Sequence, residues 1–78
     1  MAEQICCFVM PGQSLAGAIR GLVRGAKEMG FTRSKAGPPL DLYECRVIHR
    51  GRFEVRLVRM WNIYRDRMDI RVDMLVGD

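Results

Sequence analysis

The sequence predicts a two-layer α+β sandwich of order β-α-β-β-β, with one helix packed on a four-stranded, mostly antiparallel sheet. Three observations lead there. A strand-like segment at residues 3–10 holds an apolar run from Ile5 to Met10, an unbroken apolar stripe at helical period follows at 15–29, and beyond residue 42 apolar and polar residues alternate. Seventy-eight residues make one domain, 1–78. A chain of this length buries only about 60% of the surface its unfolded form exposes, so it can build one modest core.

The first segment, "EQICCFVM", is apolar on both faces, which suits a strand inside the sheet rather than one facing water. "PGQS" then breaks the chain. Leu15, Ala18, Ile19, Leu22, Val23, Ala26 and Met29 form the helical stripe, Ser14 is its natural N-cap, and Gly30 sits where a C′ glycine belongs. Leu15, Ile19, Leu22, Val23 and Met29 are expected to be buried. Gly17, Gly21 and Gly25 form a second row beside the stripe. Each costs about 1 kcal/mol relative to alanine in a helix, so the row implies close approach, either of the helix to its own sheet or of a second helix. Residues 31–41 read as a loop stiffened by "GPP".

Three strands follow, forming a meander. Tyr43, Cys45 and Val47 alternate with Glu44 and Arg46, Phe53, Val55 and Leu57 with Glu54 and Arg56, and Met68 to Val76 with Asp69, Arg71 and Asp73. If both odd-numbered sets of the first two strands face one core, the hairpin loop is His49-Arg50-Gly51, with Gly51 at positive φ. That register pairs Val47 with Phe53 and Cys45 with Val55. It also sets Arg46 against Glu54, Glu44 against Arg56 and Asp41 against Arg59, while Arg71 sits between Asp69 and Asp73. The first strand enters through the helical crossover.

Thirteen basic and nine acidic residues give a net charge of +4, a moderate bias toward acidic partners. Eleven of the thirteen are arginines, whose planar fork suits carboxylates and phosphates, although genome composition also raises arginine counts. Cys6, Cys7 and Cys45 are an odd set without a disulfide framework, which points to a reducing, cytoplasmic interior. The N-terminal apolar run is too short for a signal peptide or a membrane span.

No catalytic signature is present, and an enzyme is not expected. The one histidine, His49, is placed in a turn, and no C-x-x-C spacing offers a metal site. Neither a P-loop nor a dinucleotide fingerprint occurs, so no cofactor is expected either. The expected function is non-enzymatic binding of a protein or nucleoprotein partner through arginines and exposed aromatics. The candidate partner-binding residues are Arg20, Arg24, Lys27, Arg33, Lys35, Arg50, Arg52, Trp61, Tyr64, Arg65 and Arg67, which the strand register leaves without carboxylates. Inhibitors and effectors of viral or mobile-element type often take this form, a prior about short genes rather than a reading of these residues. The alternative is direct nucleic-acid binding by the basic helix face, loop and turns. Leu40, Leu42, Val58 and Met60 fall on the sheet face away from the helix, where they predict an open apolar patch and a homodimer.

Overall fold

The computed structural model describes residues 2–77. Its elements are β1 (Glu3–Phe8), α1 (Leu15–Glu28), β2 (Ser34–Lys35), β3 (Glu44–Arg50), β4 (Phe53–Asn62) and β5 (Arg67–Val76). One helix packs on an antiparallel sheet of order β1-β5-β4-β3, and the short β2 is bonded to β5. The α+β architecture and the β3-β4-β5 meander are those the sequence predicts.

Local chemistry ends the helix at both termini. The Ser14 hydroxyl accepts the Gly17 N–H at 3.0 Å. At the other end Gly30, at φ 94°, donates to Lys27 O, and Phe31 donates to Ala26 O. This pair of bonds is a Schellman motif, and Phe31 packs on the core beside Ala26 as such motifs favour. Ala18, Ile19 and Ala26 are buried against Phe53, Val55, Leu57, Val72, Met74 and Val76. Leu15, Leu22 and Val23 are half-buried at the margins. Met29 is corrected: it is 54% exposed, because it lies at the C-cap on the open helix flank above the β1 edge.

β1 is also corrected. It is an edge strand, bonded antiparallel to β5 with Ile5 opposite Met74, and most of its residues are exposed. Both its faces are apolar, yet only Ile5 and Phe8 reach partial burial. The first strand and the last lie side by side, so the helical crossover joins no parallel pair.

The β3–β4 register differs from expectation by three positions. Cys45 lies opposite Val58, Val47 opposite Arg56, and Arg50 opposite Phe53. Gly51 does have positive φ, at 60°, but it opens a two-residue Gly51–Arg52 turn of type II′ pattern. His49 is therefore in the strand, opposite Glu54. The register is shifted because the odd residues of β3 face away from the helix while those of β4 face toward it. The expected pairs of Arg46 with Glu54 and Glu44 with Arg56 do not form. Glu44 lies opposite Arg59 instead.

What covers the far face is the chain between α1 and β3. Ser34 bonds to both β4 and β5: it lies opposite Val76, its N–H donates to Arg52 O at 3.3 Å, and its hydroxyl donates to Glu54 O at 2.8 Å. β2 thus wedges between the diverging ends of β4 and β5. Residues 36–42 then run over the face opposite the helix. Beneath them Arg56 donates Nε to Asp73 Oδ1 at 2.9 Å, Nη2 to Asp73 Oδ2 at 2.8 Å, and Nη1 to Pro38 O at 2.6 Å. Both side chains are buried, 5% and 1% exposed. Arg71 adds a bond to Asp73 at 3.1 Å, as its place between two aspartates predicts. The bond to Asp73 holds the Arg56 guanidinium charged against the opposing pull of burial, so its pKa is raised.

This corrects the outer-face patch. Val58 is fully buried and Leu40 and Met60 are half-buried, so of the four residues only Leu42 stands free, at 91% exposure.

Two stability outcomes follow, both readable by urea denaturation. Ile19→Ala should cost about 2–5 kcal/mol, and Leu22→Ala distinctly less because Leu22 is already half-exposed. Asp73→Ala should cost about 3–5 kcal/mol, since it leaves a buried guanidinium uncompensated. Replacing Arg56 and Asp73 together with apolar residues should restore most of that loss while loosening residues 36–42.

Candidate binding surfaces

Strand pairing brings one group of the predicted residues together. On the helix side of the sheet, Trp61 lies opposite Met68, and Arg59 opposite Ile70. Val9, Met10 and Pro11 of the β1–α1 connection line this end beside Met68 and Ile70, and the helix begins after them at Leu15. The result is an open apolar surface: Met10 is 54% exposed, Trp61 48%, Met68 45% and Ile70 38%. Arg59, Arg65 and Arg67 border it. Arg67 is paired with Asp69 at 3.0 Å, which corrects its place among the uncommitted cations. Arg59 and Arg65 have no ion-pair partner among the described residues.

The β4–β5 turn is built on Asn62. Its side chain accepts the Tyr64 N–H at 3.0 Å and donates to Asp69 at 3.1 Å, and Asn62 itself is 2% exposed. Asp66 takes the left-handed conformation that closes the turn, at φ 53°. Ile63 and Tyr64 stand outward at the tip. Two apolar side chains are therefore displayed on a turn anchored by a buried amide.

A second surface lies between α1 and β3. Arg20, Arg24 and Lys27 on the helix and Arg50 on the strand line an open groove with Val23. Arg46 lies on the same face of β3, since it and Arg50 share that strand's even positions. None of these five cations has an ion-pair partner among the described residues, and Glu44 is the one carboxylate on that face of β3. Lys27 also stands 5.6 Å over the Phe53 ring. The remaining predicted cations lie elsewhere. Arg33 and Arg52 meet at the far end of the molecule, near Gly30 and Gly77, and Lys35 is in β2.

Sequence reasoning missed Arg46 and Arg59, because a mistaken register assigned them carboxylates.

Among the described residues no group of three or more His, Cys, Asp or Glu side chains is placed to hold a metal ion. Burial and the neighbouring Cys6 push the Cys7 thiol above its ordinary pKa, the opposite of an activated nucleophile. Cys45 sits by the covering segment, 3.5 Å from the Leu40 N–H. Among the described residues no helix is long and apolar enough to cross a membrane.

Trp61→Ala should cost less than about 1.5 kcal/mol in stability, well under the 3–5 kcal/mol of a buried Trp. Chemical denaturation checks this, and a small loss marks Trp61 as a surface group rather than a core one. No protein family, curated protein or solved structure matches the chain.

Proposed function

We propose that this is a non-enzymatic binding protein that captures an acidic protein, or the protein part of a nucleoprotein assembly, through the Trp61 surface. The observation that carries this reading is the open apolar group of Met10, Trp61, Met68 and Ile70, bordered by the unpaired Arg59 and Arg65. An apolar centre with a polar border is the anatomy of a protein interface, and Trp and Arg are its favoured anchors. Binding by so small a domain acts most simply by blocking the partner's own surface, which makes an inhibitor or effector the natural role. Three thiols suit a reducing cytoplasm, and we take the working unit to be a homodimer.

Capture from host lysate, with and without nuclease, tests this reading. The partner should remain bound after nuclease treatment. Trp61→Ala combined with Arg65→Glu should weaken binding at least about 30-fold, the effect of a 2 kcal/mol hot spot, with Tm nearly unchanged. Undiminished capture by that variant would refute the Trp61 surface.

A second reading has its own observation, the five unpaired cations of the α1–β3 groove. Direct nucleic-acid binding there would neutralise about four or five phosphates, so log K should fall against log salt with a slope near −4. Arg20→Ala with Arg24→Ala should lower that slope by about 2. A flat salt dependence would remove this reading and leave the first.

A further inference from the structure

The two edges of the sheet are built differently. β3 carries Glu44, Arg46 and Arg50, the charged side chains that keep an edge from pairing with another strand. β1 has no proline and no charge between Gln4 and Phe8. Val9 donates to Ile70, so by alternation Glu3, Ile5 and Cys7 turn their backbone groups to β5. The backbone N–H and C=O groups of Gln4, Cys6 and Phe8 therefore point outward, with no strand beyond them among the described residues.

The helix flank above this edge is also open. Ile5, Cys7, Leu22 and Met29 line an almost wholly apolar groove with Gly21 and Gly25. A Cβ added at Gly21 or Gly25 would meet nothing within 4 Å, so close packing within the chain does not explain these two glycines. The cations Arg20, Arg24 and Lys27 lie on the opposite flank, toward β3.

We propose that β1 pairs antiparallel with β1 of a second copy, and that the Gly21–Gly25 flanks of the two helices meet above the seam. The geometry selects a second copy over an unrelated strand. α1 lies over β1 and β5, so its axis stands about 5 Å inside the seam. A two-fold axis perpendicular to the sheet then puts two helices about 10 Å apart on one face, the distance at which helices pack. Small residues on the facing flanks let them approach without clash. Centring the axis on Cys6 uses the whole strand: Gln4 pairs with Phe8 of the second copy, Ile5 with its Cys7, and Cys6 with its Cys6. Such pairing forms about six new backbone hydrogen bonds and places no charge against a like charge. Trp61 on β4 and the α1–β3 groove lie away from the β1 edge, so the pairing stands independently of what either one binds.

Sedimentation equilibrium at micromolar concentration is the test. The wild-type chain should be a dimer. Gly21→Leu with Gly25→Leu should be a monomer that keeps the folded circular-dichroism spectrum, because leucine is the better helix former and the monomer has room for it. A chain with Cys7→Ser and Cys45→Ser, treated with diamide, should form a dimer linked through Cys6, since paired Cα atoms about 5.5 Å apart are within disulfide reach. There the two thiols yield two protons and two electrons to diamide. A wild-type monomer, a glycine variant that remains dimeric, or an absence of Cys6 cross-linking would each overturn the proposal.

Discussion

The buried pair of Arg56 and Asp73 is the constraint around which this small domain is arranged. A guanidinium and a carboxylate removed from water are costly unless their hydrogen bonds are met. Here they are met from three directions: Arg56 grips Asp73 in a two-bond fork, its third nitrogen reaches Pro38 O, and Arg71 supports the carboxylate. The Pro38 contact matters beyond its own strength. It ties residues 36–42 to the middle of the sheet, and the close passage of Gly37, whose added Cβ would stand 3.3 Å from Arg56 Nη1, shows how tightly the chain runs over the pair. Apolar side chains could fill the same volume. They would not specify which stretch of loop lies there.

That attachment decides which surfaces are free. With one helix, a sheet this size has one well-covered face. The covering segment closes the middle of the other and buries Val58 with the ion pair. What remains open is the end of the helix-side face beyond the start of α1, the flank toward β3, and the β1 edge. These three differ in character: apolar with an arginine border, cationic, and uncharged. The proposed self-association and the proposed partner binding therefore use different surfaces.

The helix and its ends were legible because their signals are local. The 3.6-residue stripe, the Ser14 cap and Gly30 each act within a turn of chain. The strands were legible as strands but not in register. β4 is buried on both faces, by the helix on one and by residues 36–42 on the other, so its alternation does not say which side is the core. The odd residues of β3 face the covered side, and the mistaken register even produced three opposite-charge pairs. With acidic and basic residues spaced two apart on both strands, such agreement arises easily by chance. Arg56 and Asp73 are seventeen residues apart, and each reads as solvent-facing within its own strand. Their pairing, and the use of "GPP" to cover them, became visible only when the strands were set side by side. The Trp61 surface was half visible: Trp61, Tyr64 and Arg65 stood out as a group, but Met10 and Ile70 join them only through the fold.

The pair can be observed directly by NMR of the arginine side chains at neutral pH. If Arg56 is buried beneath residues 36–42, its Nε–H should exchange with water far more slowly than that of a solvent-facing arginine such as Arg24. It should also show nuclear Overhauser contacts to Gly37 and Pro38. An Arg56 guanidinium that exchanges as fast as the exposed ones, with no contact to Gly37, would contradict the account, because the tie between residues 36–42 and the buried pair would then be missing.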